Sequence, residues 1–257
     1  MVHQVDQMLQ KLHVLVVGPG LGRCPFVMEA TSQIITKALS NNIPLVIDAD
    51  ALFILTLPKY KDILLQVHGK VLGSTVGSTL TSDAQPANKS PVILTPNAME
   101  WQRLHGLQEC WDQDRVVVVQ KGMEDIIRYA TTTTNTTTTS KTTSNDVQIP
   151  ASERILHCRE IGGLKRSGGI GDILAGTLGT ILAWNNVLRT KGVATTLDVP
   201  LACWLACSVV KRATHVAYHH HYRAMTAPDV LHALGPTFHD MTVVNATSTT
   251  TGAAGQR

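Results

Sequence analysis

Residues 162–179 read GGLKRSGGIGDILAGTLG, and a single carboxylate, Asp172, stands where the glycines give way to the apolar run 173–182. Glycine is costly to order, so this density implies tight turns or a close backbone approach. A glycine loop that runs into a helix presents unbonded N–H groups at the helix N-terminus, which is an anion site. Lys165 and Arg166 stand beside these glycines. Asp172 then has two readings. A first-turn aspartate favours the positive end of the helix dipole. Beside a bound phosphate it is also a base, taking a proton from a hydroxyl while the loop stabilises charge on the transferred group. That second arrangement is what a small-molecule kinase needs.

A shorter cluster, GPGLGR (18–23), also follows an apolar run, with an ordinary Gly-Pro turn as its alternative reading. Neither cluster is a Walker loop, since no GK[ST] follows. Neither is a G-x-G-x-x-G fingerprint with its acidic partner. Other polar residues fall at strand ends: Asp48 and Asp50, then Asn97 and Glu100, then Lys121 and Asp125. Ligands of open α/β sheets bind outside the carboxyl ends of strands, so the repetition favours a common site. For each residue alone, a cap or a solvated charge is an equal alternative.

The elements that must hold these groups alternate along the chain. HVLVV (13–17) is a short strand. CPFVMEATSQIITKALSNN has helical spacing at Val27, Ile34, Ile35, Ala38 and Leu39, and PLVIDADAL is a second strand. Strand, helix, strand implies a parallel pair with a right-handed crossover. PVILTP (91–96) and RVVVVQKG (115–122) are further strands, and NAMEWQRLHGL (97–107) is a helix opened by an Asn cap. A buried helix follows the glycine loop. LACWLACSVVKRATHVAYHH is a second apolar helix, and APDVLHALGPTF (227–238) is a short closing helix with Pro228 near its first turn. Continuous valine-rich strands between helices predict an α/β fold: a mostly parallel sheet with both faces covered, or three α/β/α layers.

Three segments break the pattern. Residues 73–90 are polar and rich in breakers, 129–148 are threonine-rich, and the tail over 241–257 is of low complexity. They lack the apolar content to offset ordering entropy, so two read as insertions and the last as a disordered end. One domain over 1–240 is the expectation.

Composition narrows the function. The chain has 257 residues, 44% hydrophobic, and a formal charge of +3. The basic residues are scattered, without the stripe that nucleic-acid binding requires. No stretch reaches the roughly 20 apolar residues that span a bilayer. Five cysteines without framework spacing indicate reduced thiols in a cytoplasmic protein. Cys203 and Cys207 share a helix face and read as core. His219, His220 and His221 are consecutive, so on a helix they point apart and make no metal site.

Five stretches in order, VVGPGLGR, PLVIDADAL, VILTPNAMEWQRL, KGMEDII and GGLKRSGGIGDILAGTLG, resemble the ATP-dependent (S)-NAD(P)H-hydrate dehydratases of the ribokinase-like superfamily. The resemblance spans about residues 13–240 and implies a ribokinase-like fold. Members of that family carry further strand–helix units before the GPGLG motif, so the resemblance implies that those units are missing here. The activity implied is repair of hydrated NADH or NADPH: ATP phosphorylates the ring hydroxyl, and loss of phosphate restores the double bond. Mg²⁺ is implied by phosphoryl transfer.

Residue by residue, the resemblance assigns ATP to Lys121, Gly122, Met123, Glu124 and Asp125. It assigns ATP also to Gly162, Gly163, Leu164, Lys165, Arg166, Ser167, Gly168, Gly169, Ile170 and Gly171. It assigns the hydrate to Gly22, Asn97, Ala98, Met99, Glu100, Trp101, Gln102, Arg103 and Asp172, with Asp172 as the base. It also implies a functional link to an NAD(P)H-hydrate epimerase, and it leaves a homo-oligomer open. A mitochondrial or plastid leader would require a segment before Met1. The alternatives are a hydroxyethylthiazole or hydroxymethylpyrimidine kinase of the same superfamily, and a truncated, catalytically inactive isoform.

Overall fold

A computed structural model describes residues 2–60, 63, 90–105, 115–131, 152–193 and 197–247. The chain forms two compact units, Met1–Lys121 with Ile126–Leu156, and Gly122–Asp125 with His157–Arg257.

The first unit begins with α1 (Val2–Leu9), β1 (Leu15–Val17), α2 (Pro25–Ser40), β2 (Leu45–Ile47) and α3 (Ala49–Leu55). It continues with β3 (Val92–Leu94), α4 (Ala98–His105), β4 (Val116–Gln120) and β5 (Asp125–Thr131). The six-stranded sheet has the order β1-β2-β3-β4-β5-β6, with β6 at Ser152–Cys158. Strands β1 to β4 are parallel, in the register Leu15–Leu45–Val92–Val116, and β5 runs antiparallel to β4. The mixed α/β fold with a mostly parallel sheet is therefore present.

Every residue of β2 and β3 is buried, as the unbroken apolar runs require of strands covered on both faces. Leu45, Ile47, Leu52, Leu94 and Val118 join Leu9, Ile35 and Leu104 in one core. Each such side chain contributes roughly 1.5–3 kcal/mol on burial.

The second unit consists chiefly of three long helices: α5 (Ile170–Thr190), α6 (Val199–His221) and α7 (Ala227–Thr247). Prolines start α2 and α6, where the missing N–H removes no intrahelical bond. Asp229 caps the start of α7 through Thr226. The Asp229 carboxylate accepts from both the N–H and the hydroxyl of Thr226 at 2.7 Å, so these bonds hold Asp229 below the ordinary carboxylate range. Among the described residues no helix is long and apolar enough to cross a membrane.

Several boundaries differ from the sequence reading. The closing helix is 21 residues long and passes through Pro236. The sequence reading also carries it through Pro236, but only to residue 238. The helix runs to Thr247, so residues 241–247 are helical rather than part of a disordered tail. Residues 129–131 are the end of β5, paired through Tyr129 with Val117, and not insertion. Ser90 likewise belongs to the fold: its N–H donates to Asn42 Oδ1 at 2.6 Å, and its carbonyl accepts from Arg115 Nε at 2.8 Å. The remainder of the two proposed insertions, 73–89 and 132–148, lies outside the described residues.

The turn after β1 depends on one glycine. Gly18 has φ 128°, and a Cβ there would collide with the Asp48 carbonyl oxygen. Gly20 has φ 68° with open space around it. Gly18→Ala is therefore expected to cost roughly 3 kcal/mol or more, combining backbone strain with overpacking. Gly20→Ala should cost only about 1 kcal/mol. Urea unfolding of the two variants checks this, and equal losses would refute the close-approach argument.

Candidate functional site

In the first unit, the hydrogen-bond ladder continues past the strand ends. Asp48 N–H donates to the Val17 carbonyl (3.0 Å), Thr95 N–H to Ile47 (3.1 Å), and Lys121 N–H to Pro96 (2.8 Å). This staircase fixes Gly18, Asp48, Asn97 and Lys121 at the carboxyl ends of β1 to β4. Asp48 is 1% exposed. Its Oδ1 accepts from Ala49 N–H at 2.9 Å and from Lys121 Nζ at 2.6 Å. Ala49 has φ 47°, a left-handed conformation that costs a residue with a Cβ on the order of 1 kcal/mol.

Asp50 clamps the glycine turn. It accepts from Gly22 N–H at 2.9 Å and from Arg23 Nε at 3.1 Å, while the Arg23 guanidinium stacks 4.1 Å over Phe53. The Gly22 N–H that the resemblance assigns to substrate is thus bonded to Asp50, and the Lys121 amine assigned to ATP is bonded to Asp48.

The Asn cap is present as a full capping box. Asn97 Oδ1 accepts from the N–H groups of Met99 and Glu100 at 2.9 Å, and Glu100 Oε2 accepts from Asn97 N–H at 2.8 Å. Met99, Gln102 and Arg103 are exposed on α4 with Ala98, and Trp101 lies half-buried under the Arg128 guanidinium at 5.3 Å.

In the second unit, residues 122–125 make a tight turn. Gly122 N–H donates to Asp125 Oδ1 at 2.9 Å. Lys211 of α6, 9% exposed, donates to the carbonyls of Gly122 (3.2 Å) and Met123 (2.8 Å) and pairs with Asp125 Oδ2 at 3.4 Å. Burial pushes the Asp125 carboxyl up, against the opposing pull of the Gly122 N–H and the Lys211 ammonium. Glu124 is held below the ordinary carboxylate range by Arg159, whose Nε lies 2.6 Å away. Met123 is exposed.

The glycine-rich loop divides into two parts with different causes. Gly162 and Gly163 are packing glycines. Gly163 N–H donates to Thr214 Oγ1 at 3.0 Å, and a Cβ at Gly163 would lie 2.9 Å from the Cβ of Tyr218. Gly168 and Gly169 make the turn into α5. Gly169 is its N-cap at φ 91°, and Gly168 has open space where a Cβ would be. Leu164 and Arg166 are exposed, and Lys165 and Ser167 are half-buried. Ile170 packs against Met225 and Val230, and Gly171 follows it in the first turn of α5.

The first-turn N–H groups of Gly171 and Asp172 have no backbone acceptor among the described residues, and so face outward as an anion site does. Asp172 is exposed and lines one end of a cavity of about 570 Å³, whose walls include Gly176, Thr180 and Trp184 of α5 and Leu234 and Phe238 of α7.

The structure therefore brings the 122–125 turn and Gly162–163 onto one face of α6. Sequence reasoning missed the residues that do this, Lys211 and Thr214. Their signal was a lone lysine in the apolar run LACSVVKRATHVAY, three residues from both Ser208 and Thr214. A buried lysine has to find acceptors.

Cys203 and Cys207 are core residues, as expected, and burial raises both thiols. Among the described residues no group of three or more His, Cys, Asp or Glu is placed to hold a metal ion.

The carbohydrate-kinase family described as NAD(P)H-hydrate dehydratase matches residues 1–235. ATP-dependent (S)-NAD(P)H-hydrate dehydratase of Bos taurus is 31% identical over 255 residues, covering 92% of this chain and 63% of that protein. The Homo sapiens enzyme of the same name is 28% identical over 253 residues, covering 92% of this chain and 60% of that protein. The chain thus spans less than two thirds of the length of these relatives. A crystal structure of a hypothetical protein, SMU.573, from Streptococcus mutans superposes with a TM-score of 0.59 at 15% identity. It covers 94% of this chain and 70% of that one, a likeness of fold.

Asp125 gives a pH signature. Its folded value lies above the ordinary 3.8. Between those two values the folded chain binds more protons than the unfolded one, so this group makes stability fall as pH rises. Urea unfolding across that window is expected to show a steeper decline in the wild type than in Asp125→Asn. Equal slopes would contradict the burial of this carboxyl.

Proposed function

The chain belongs to the NAD(P)H-hydrate dehydratase family, and from that membership we propose that it carries out ATP-dependent dehydration of hydrated NADH or NADPH. One observation carries the assignment of the base. Four helices have an acidic residue in the first turn: Asp50, Glu100, Asp172 and Asp229. Three of these bond to backbone N–H groups, at Gly22, Asn97 and Thr226. Asp172 alone has no hydrogen bond or ion pair with a described residue, and it is exposed beside outward-facing N–H groups.

In this reading the γ-phosphate of ATP sits at the N-terminus of α5. Asp172 takes the proton of the hydroxyl on the hydrated ring, and the hydroxyl oxygen attacks the γ-phosphorus as ADP leaves. The phosphate then departs with its electron pair, and loss of a neighbouring ring proton restores the double bond. The outward N–H groups at the start of α5 and the Lys165 and Arg166 cations supply the charge stabilisation. The open space at Gly168 suits the close approach of a phosphate. Mg²⁺, which phosphoryl transfer implies, would arrive with ATP and would supply charge neutralisation at the transferred phosphate. Family membership alone assigns the stretch Asn97 to Arg103 to the hydrate.

Incubation with ATP and NADH hydrate is expected to restore the absorbance of the reduced nicotinamide. Asp172→Asn should lower turnover by a factor on the order of 10² or more while ATP binding stays within about twofold. A wild-type chain that restores no absorbance would sink the function. A fully active Asp172→Asn would remove the base.

A further inference from the structure

An amine buried in an apolar helix face is costly unless its donors are answered. α6 keeps one such amine. Ala206, Cys207, Val209, Val210 and Ala213 around Lys211 are all buried. The Lys211 ammonium meets three oxygens within four residues of chain: the Gly122 carbonyl, the Met123 carbonyl and Asp125 Oδ2. Its aliphatic stem serves a second segment, since a Cβ at Gly162 would touch Lys211 Cγ at 3.9 Å. One helical turn on, Thr214 Oγ1 donates to the Lys211 carbonyl at 2.7 Å and accepts from Gly163 N–H at 3.0 Å. Two stretches that are far apart in sequence are thus fixed on adjacent turns of one helix.

We propose that Lys211 is a positioning residue for the nucleotide: it sets the 122–125 turn against the entry of the glycine-rich loop, and ATP affinity depends on it without its touching ATP. The inference rests on the reading that these two stretches bind ATP. A methionine of similar volume would leave two carbonyls and a carboxylate without their shared donor. The turn would then keep its inner Gly122–Asp125 bond, the hold of Arg159 and His157 on Glu124 and the contact of Cys207 with Asp125, but would lose the one donor that ties both its carbonyls to α6. An arginine keeps the charge and several donors, and so keeps the tether.

The test is equilibrium binding of a non-hydrolysable ATP analogue with Mg²⁺, beside binding of NADH hydrate, with circular dichroism as the check of folding. Lys211→Met is expected to weaken the analogue by roughly tenfold or more, the scale of hydrogen bonds to a charged group. Binding of NADH hydrate should stay within about twofold, and Lys211→Arg should recover most of the loss. A general packing defect would weaken both ligands together. If Lys211→Met fails to fold, Lys211→Gln, which retains a donor, should still weaken the analogue by about threefold. A folded variant with wild-type analogue affinity, or an equal loss of both ligands, overturns the inference. A wild-type chain that binds no analogue fails one step earlier and overturns the ATP reading on which the inference stands.

Discussion

A carboxylate taken out of water has to be answered by donors, and in each unit that requirement fixes a strand end. Asp48, at the end of β2, is answered by Lys121 and by its own helix start. Asp125, at the start of β5, is answered by Gly122 and Lys211. Such pairs add little net stability, because desolvation costs several kcal/mol per ion and offsets much of the attraction. Removing one partner is different, and costs about 3–5 kcal/mol by leaving a buried charge unpaired. The pairs therefore act on geometry. Lys121 cannot leave β4 without stranding Asp48, and the 122–125 turn cannot leave α6 without stranding Lys211.

The glycines answer to the same strand ends for two separate physical reasons. Gly18, Gly162 and Gly163 are glycine because another element passes too close for a Cβ: the Asp48 backbone in one case, Thr214 and Tyr218 in the others. Gly20 and Gly22 have positive φ with open space around them, and Gly169 combines a positive φ with the Ala227 Cβ too close for a Cβ of its own. The glycines of 162–169 thus divide between a crossing over α6 and a turn into α5, and those at 171, 176 and 179 lie within α5. Only the second part, with open space at Gly168, has the form of a phosphate cradle. In the proposed reading, a phosphate would therefore meet the last few residues of the loop.

Much of this was legible because the relevant signals are local. The valine-rich runs that became β2, β3 and β4 are strands whatever surrounds them, since only a doubly covered sheet buries every residue. The Asn97 cap is a relation between residues two and three apart, and it formed as read, with Glu100 closing it into a box. What stayed hidden depends on distant partners. The end of β5 lies at the edge of a threonine-rich segment, and its antiparallel pairing with β4 places Tyr129 opposite Val117. Nothing in YATTTT signals that register. Lys211 shows in the sequence as an oddity in an apolar helix, but its acceptors lie almost ninety positions upstream. The length of α7 was hidden not by Pro236, which the sequence reading already placed inside the helix, but by the threonine-rich composition after it, which reads as a tail.

Asp172 shows why position alone could not separate a cap from a base. Glu100 and Asp229 occupy the same third position of a helix and Asp50 the second, and the helix dipole favours a carboxylate in that turn by about 0.3–1 kcal/mol whichever role it has. What differs is the preceding residue. At α4 and α7 an Asn97 or Thr226 presents a backbone N–H turned back toward the third residue, and the carboxylate closes on it. At α5 the preceding residue is Gly169 at φ 91°, with no side chain to begin a box. The left-handed turn that opens the loop therefore also removes the local partner Asp172 would otherwise have. The left-handed N-cap at the helix start leaves this carboxylate with no partner among the described residues, the freedom that the proposed role of a base requires.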